Sequence, residues 1–289
     1  MKITDLFFSA IEELKKVGIK NPELEVSLML CQTLTRTTQK EWTRATLLAH
    51  LEAPVKREAS LLFQKMLRRR KERLPLAYIL GEWQFLGYRF FISPAALTPR
   101  PESETIVETA LTKSRIFLRE KTKVRVLDIG TGAGVLALSY AKEAARLHLP
   151  SEIIGLDISK RVLRLALKNA SSLGFLKKGE IFSLSAGKVR LKFLVSDLLE
   201  SLPTEKFDIV MANLPYLPLK LKAALAPEVR FEPKRALFSG KDGLNLYRRL
   251  RKEVPPYLHP KSQLIFECSP LQKESLKNLF LGFNLTIIN

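Results

Sequence analysis

Apolar side chains at Leu6, Phe7, Ala10, Ile11, Leu14 and Val17 recur at three-four spacing, and Gly18 follows where a helix C-cap belongs, so the chain is predicted to open on an amphipathic helix. Asn21-Pro22 restarts a helix, asparagine suiting an N-cap and proline the first turn, with Leu24, Leu28, Met29 and Cys31 as its apolar face. Thr38 and Pro54 open two further candidate helices, the second running into Arg68-Arg69-Arg70-Lys71. Residues 1–80 are therefore expected to form a small all-α bundle. From Glu82 to Leu97 the texture changes, and aromatic and β-branched residues around Leu86-Gly87 predict a two-stranded hairpin, placed as a linker over 81–98. Beyond it, VRVLDIG, EIIGLDIS, LKFLVSD, FDIVMAN, QLIFECS and NLTII alternate with helical segments. That alternation predicts an α/β domain over 99–289, built on a mainly parallel twisted sheet with helices on both faces. Ser183 to Lys188 reads as a polar loop.

Hydrophobic residues make up 46% of the 289 and charged residues 27%, enough to bury a core and too much apolar content for a disordered chain. No charge-free apolar run reaches the roughly 18 residues that span a bilayer, and the amino terminus has no apolar stretch of signal-peptide length. A cytoplasmic protein without membrane contact is expected. Cys31 and Cys268 lie far apart and three histidines show no ligand spacing, so neither a disulfide nor a metal is expected. The net charge of +19 suits an acidic partner, such as ribosomal RNA or an acidic protein. The excess is spread along the chain, however, with 15 Lys and Arg against 9 Asp and Glu in residues 1–80, which points to weak ribosome or RNA contact through a basic surface rather than to a basic arm. The Arg68–Arg73 cluster reads first as a solvated helix end complementing the dipole, with a docking patch as the alternative.

The chemistry begins at VRVLDIGTGAG. An apolar strand runs into a turn whose Gly130, Gly132 and Gly134 let a ligand approach the backbone, while the following helix presents amide hydrogens. The spacing is G-x-G-x-G rather than the dinucleotide G-x-G-x-x-G, which disfavours a pyrophosphate; a turn serving only close packing is the plain alternative. Asp157, 23 residues after Gly134 at the end of the second strand, is placed to accept both hydroxyl protons of a ribose. Asp197, after the third strand, is placed to accept from an adenine amino group, or else to cap the next turn. At the end of the fourth strand stands Asn213-Leu214-Pro215-Tyr216. A planar NH2 group whose lone pair is delocalised becomes a useful nucleophile only when both N–H groups are held and the nitrogen is aimed. The Asn213 side-chain carbonyl and the Leu214 backbone carbonyl can accept those hydrogens, Pro215 keeps Leu214 extended, and Tyr216 offers a flat face.

In this order these segments resemble the release-factor glutamine methyltransferase (PrmC/HemK) family of class I methyltransferases, over about residues 5 to 284. The resemblance is carried by PLAYILGEWQFLGYRF, LTPRPESE, VLDIGTGAG, LDIS, FDIVMANLPY and EVRFEPKRALFSGKDGLNLYRRL. It implies a Rossmann-like catalytic domain using S-adenosyl-L-methionine, a helical domain that helps dock peptide chain release factors, and methylation of the glutamine of their Gly-Gly-Gln loop. It assigns Asn213 and Tyr216 to the substrate amide, with Leu214 and Pro215 between them. Asp128, Gly130, Thr131, Gly132, Gly134, Asp157, Asp197 and Asn213 go to the cofactor, with Thr98 to Glu102 closing its pocket. Arg100 pairs either with the cofactor carboxylate or in a surface or linker salt bridge. Transfer is expected to be direct, with no protein nucleophile and no assigned base.

Three departures stand out. Leu214 replaces the usual first proline of Asn-Pro-Pro-Tyr, which keeps the backbone acceptor. His259-Pro260-Lys261-Ser262 and Glu267-Cys268-Ser269 replace a Pro-Gly-Gly turn and Glu-Ile-Gly. The chain stops after LTII, so the sheet is expected to lack a final antiparallel strand and to leave an edge open. Two rivals remain at this level: an adenine-N6 or other nucleic-acid methyltransferase, whose exocyclic amine poses the same problem, and a non-catalytic release-factor or ribosome binding protein.

Overall fold

The computed structural model describes residues 1–184 and 188–289 and divides into two compact units: Met1–Gly81 with Ala226–Phe231, and Glu82–Leu225 with Glu232–Asn289. The first unit carries five helices: α1 (Ile3–Lys16), α2 (Pro22–Thr38), α3 (Arg44–Ala49), α4 (Arg57–Lys71) and α5 (Leu76–Leu80). Leu6, Ala10, Ile11 and Leu14 of α1 are buried as their spacing demands, together with Met29, Leu30, Phe63 and Met66 of α2 and α4. Gly18 takes φ +72° just beyond α1, the conformation that ends a helix at low cost in glycine. Thr38 does not open a helix. It ends α2, with its hydroxyl donating back to the Leu34 carbonyl at 2.7 Å, and the next helix begins after Thr43, whose hydroxyl accepts from the Thr46 amide.

The arginine cluster is a solvated helix end only in part: Arg68, Arg69 and Lys71 are exposed as expected, while Arg70 and Arg73 are not. Arg70 is only 4% exposed; its guanidinium binds both oxygens of Glu25, at 2.5 and 3.1 Å, and donates to Glu228 at 3.0 Å. Arg73 joins it on Glu228 and caps the carbonyls of Val17 and Gly18. Glu25, on α2, and Glu228, distant in sequence, were the partners the local charge pattern could not supply.

The second unit begins with the hairpin, β1 (Glu82–Phe85) and β2 (Tyr88–Phe91), turning through Leu86 and Gly87 at φ +47° and +75°. Then follow α6 (Glu104–Phe117), β3 (Val124–Ile129), α7 (Val135–Arg146), β4 (Ser151–Asp157), α8 (Lys160–Ser172), β5 (Leu176–Lys178), β6 (Ile181–Leu184), β7 (Val189–Val195) and β8 (Phe207–Ala212). The chain ends with α9 (Lys234–Leu237), α10 (Asn245–Glu253), β9 (Leu258–Glu267), α11 (Lys273–Leu279) and β10 (Asn284–Ile288). Strand order is β10-β9-β8-β3-β4-β7-β6-β5, parallel from β10 to β7 and antiparallel across β7, β6 and β5. This is a Rossmann-like α/β fold. The chain runs outward from β3 through β4 to β7, then returns to place β8 on the other side of β3, which opens a crevice at the carboxyl ends of these strands. One face packs on α10 and α11 through Leu127, Ile129, Val210, Leu264 and Phe266 against Tyr247, Leu250 and Leu276.

Ser183 and Leu184, the start of the expected polar loop, belong to strand β6, which turns back through Gly179 against β5; residues 185–187 of that loop lie outside the described residues. His259 to Ser262 is no separate turn but the start of β9, tied down by the Ser262 hydroxyl on the Phe207 carbonyl and by His259 on Asp208. On the far flank β10 adds directly and in parallel to β9, so LTII is itself the edge strand. Cys31 and Cys268 are free and buried. No helix among the described residues is long and apolar enough to cross a membrane.

Candidate active site

At the carboxyl ends of β3, β4, β7 and β8 lies a cavity of about 660 Å³, within the range of small-molecule sites. Its wall includes Gly130, Thr131 and Gly132 after β3, Asp157 at the end of β4, Asp197 after β7, and Asn213, Leu214 and Pro215 after β8. Thr98 and Arg100 contribute from the segment before α6. The parallel register delivers these separated positions to one rim.

Gly130 and Gly132 take φ +74° and +58°, and a Cβ on Gly130 would come within 3.0 Å of the Leu214 side chain. Leucine at 214 is thus packed under the glycine turn and is itself 3% exposed. Gly134 is not on the wall. It is the N-cap of α7 at φ +80°, and a Cβ there would press on Leu138, Ala166 and Phe193, so its job is close packing, the plain alternative for this turn.

Asp128, expected on the cofactor, also lies off the wall. Fully buried, it accepts from the Thr131 hydroxyl at 2.6 Å and the Ala137 amide at 3.2 Å, which braces the turn from within. Burial pushes its carboxyl up to about 7, against the pull of those two donors. The folded protein therefore holds a proton that the unfolded chain, titrating near about 4, gives up, and this group's contribution to stability falls as pH rises from about 4 to 7. Asp128→Asn is expected to flatten that slope; urea unfolding of both proteins at pH 5 and pH 8 measures it.

Asp157 accepts from the Gly132 amide at 3.0 Å and the Ser159 amide at 2.8 Å, one on each oxygen, so the carboxylate is aimed while lone pairs remain for a diol. Burial raises its pKa and the two amides oppose that rise. Asp197 shares one oxygen with Arg249 at 3.1 Å. Arg100 faces the cavity, and its guanidinium is engaged by Glu232 at 2.6 Å, a buried carboxylate 132 residues away and so neither a surface nor a linker partner. Arg235, a residue with no chemical signal of its own in the sequence, also reaches the wall.

Asn213 is half-buried, and its Nδ2 donates to the Ser103 hydroxyl at 2.9 Å, which leaves the carbonyl end of the amide for the cavity. The Leu214 backbone N–H is held by the hydroxyl of Tyr247, which itself donates to the Glu267 carbonyl at 2.6 Å. Tyr216 departs from its expected place. It does not line the cavity, and its hydroxyl donates to Glu267 at 3.2 Å because that buried carboxylate requires donors. Burial raises the pKa of Glu267, while Ser103, Tyr216 and Asn213 hold it down. Asn169 is another residue without a sequence signal. Fully buried, it bonds both backbone groups of Phe91 and the Ala133 carbonyl, clamping β2 to the glycine turn. Among the described residues no cluster of His, Cys, Asp or Glu is placed to hold a metal ion.

The chain matches the model of the PrmC N-terminal domain over residues 5–81 and that of a methyltransferase domain over 120–272. It is 32% identical over 268 residues to the release factor glutamine methyltransferase of Geobacter sulfurreducens, covering 92% of this chain and 84% of that protein. The enzyme of the same description from Cereibacter sphaeroides is 32% identical over 280 residues, covering 96% and 90%, and that of Bacillus subtilis 34% over 241, covering 82% and 77%. With both domains matched in order and relatives aligned along most of their lengths, this chain belongs to the release factor glutamine methyltransferase family.

Proposed function

We propose that the chain methylates the side-chain amide nitrogen of the glutamine in the Gly-Gly-Gln loop of peptide chain release factors, with S-adenosylmethionine as donor, in the cytoplasm. The observation that carries this reading is the Asn213 amide, tied by its nitrogen and offering its carbonyl at the wall of a cavity that also holds Asp157 and the glycine turn.

The cavity fits the cofactor on its own evidence: volume, two glycines in left-handed conformations at the wall, and a carboxylate oriented by two amides. Bound S-adenosylmethionine supplies a methyl group on a positively charged sulfur. Asp157 would hold its ribose, Asp197 its adenine amino group, and Gly130 to Gly132 the backbone approach. Asn213 Oδ1 and the Leu214 carbonyl accept the two hydrogens of the glutamine NH2 group and so aim its nitrogen. Since the amide proton is lost after the nitrogen has become positive, water suffices to take it. Glu267 is already occupied by the Ser103 and Tyr216 hydroxyls and is no base. The helical unit is assigned to docking the release factor.

Asp157→Ala removes the only oriented carboxylate proposed for the ribose and is expected to weaken S-adenosylhomocysteine binding about 10- to 100-fold, the worth of hydrogen bonds to a charged acceptor. Titration calorimetry reads it. The reading as a whole is tested by incubating the protein with a release factor, with RNA and with labelled cofactor. One added methyl group on the Gly-Gly-Gln peptide, found by mass spectrometry, is the expected result; label entering RNA alone would overturn it.

A further inference from the structure

The Asn213 side chain is the end of a hydrogen-bond relay with a fixed direction. Its Nδ2 donates to Ser103 Oγ at 2.9 Å, Ser103 Oγ donates to Glu267 Oε2 at 2.5 Å, and Tyr216 donates its hydroxyl to Glu267 Oε1 at 3.2 Å. Ser103 and Glu267 are 3% and 4% exposed, so their bond is closed to bulk water. A carboxylate only accepts, and a serine hydroxyl has one hydrogen to give. Once Ser103 gives it to Glu267, it meets Asn213 with lone pairs alone, and only the NH2 end of the amide can face it. An asparagine amide is nearly the same shape either way round, so its neighbours' hydrogen bonds choose the orientation. In the flipped state Oδ1 would take the Ser103 hydrogen, and a buried Glu267 oxygen would lose its donor.

We propose that Glu267, acting through Ser103, fixes the Asn213 amide with its carbonyl toward the cavity, and so makes the site an acceptor of N–H groups rather than a donor. This rests on the glutamine-methylating reading above. Glu267 does not line the cavity and Ser103 borders it beside Asn213; both are positioning residues for Asn213. A glutamine at 267 can present NH2 to Ser103, whose hydroxyl then turns to Asn213 Oδ1, and the amide loses its directional lock.

The test uses the full chain, a release factor and labelled cofactor. Glu267→Gln is expected to lower kcat about 30-fold, with the affinity for S-adenosylhomocysteine and the melting temperature unchanged, because the lost orientation matters only to the amide being methylated. In an Asn213→Ala background the same substitution is expected to change kcat less than about threefold, since the residue it acts through is gone. Ser103→Ala should lower kcat about tenfold and Ser103→Thr, which keeps the hydroxyl, should restore most of it; this pair decides the matter if Glu267→Gln fails to fold. A wild-type kcat in Glu267→Gln, or an equal loss with and without Asn213, overturns the proposal. Absence of glutamine methylation by the wild-type protein would instead sink the reading on which it rests.

Discussion

Asn213→Ala is expected to lower kcat about 10²- to 10³-fold while leaving S-adenosylhomocysteine affinity within about twofold of wild type. The magnitude follows from what the side chain is proposed to do. An amide nitrogen shares its lone pair with its carbonyl and is a poor nucleophile, so most of the rate must come from holding the NH2 group with its nitrogen aimed, and one of the two acceptors is lost in the variant. Cofactor binding is spared because the groups proposed for the nucleoside, Asp157 and the Gly130–Gly132 turn, sit on other strand ends with their own bracing. Folding is spared too: Asn213 is half-buried, and the backbone of the next residue is anchored independently by Tyr247. Single-turnover methylation of a release factor with labelled cofactor gives the rate, and calorimetry the affinity. A variant that loses both in proportion would place Asn213 in cofactor binding instead.

What the sequence made legible divides along a physical line. Patterns that depend on neighbours along the chain were readable: the three-four spacing of α1, the Leu86-Gly87 turn, the apolar strands, and the glycine turn after β3. So was the convergence of Gly130, Asp157, Asp197 and Asn213, because a parallel sheet brings successive strand ends to one rim. The losses concern partners supplied from far away. Arg70 looked solvated because neither Glu25 nor Glu228 is near it in sequence. Asp128 and Gly134 sit inside the motif that signals a cofactor, yet they brace and pack the turn, and a motif cannot say which of its members face the ligand. Tyr216 was assigned its ring face, but its hydroxyl answers to Glu267, 51 residues away. Asn169 carried no signal, and Ser103, though inside LTPRPESE, had no role assigned, both being single polar residues whose meaning lies in what they touch. The β5–β6 hairpin escapes the sequence pattern because its strands are short, β5 is wholly exposed and Phe182 is the one buried residue of β6, too little apolar alternation to betray them.

Gly243→Ala is expected to cost about 3–5 kcal/mol and to carry kcat down with it, the sum of a left-handed backbone penalty and a clash that packing cannot relieve. Gly243 takes φ +86°, and a Cβ there would fall on the Tyr216 carbonyl oxygen, far inside van der Waals contact, and against the Gln272 amide. Neither neighbour is free to yield. Gln272 Nε2 is bonded to the Tyr216 carbonyl at 2.8 Å and to the Asp242 carbonyl at 2.7 Å, tying the Asp242–Gly243 turn to the end of the Asn213–Tyr216 segment. Backbone therefore approaches backbone where the amide site ends, which is a physical reason for glycine in the GKDGLNLYR block. Gly174→Ala is the control. Its φ is +82° but nothing lies within 4 Å of the added Cβ, so it should cost about 1 kcal/mol and leave kcat unchanged. Urea unfolding of the two variants separates the terms: the difference between them is the clash. If the two glycines prove equally costly, the close approach of residue 243 to Tyr216 is not what holds the segment, and the drop in kcat expected for Gly243→Ala should vanish with it.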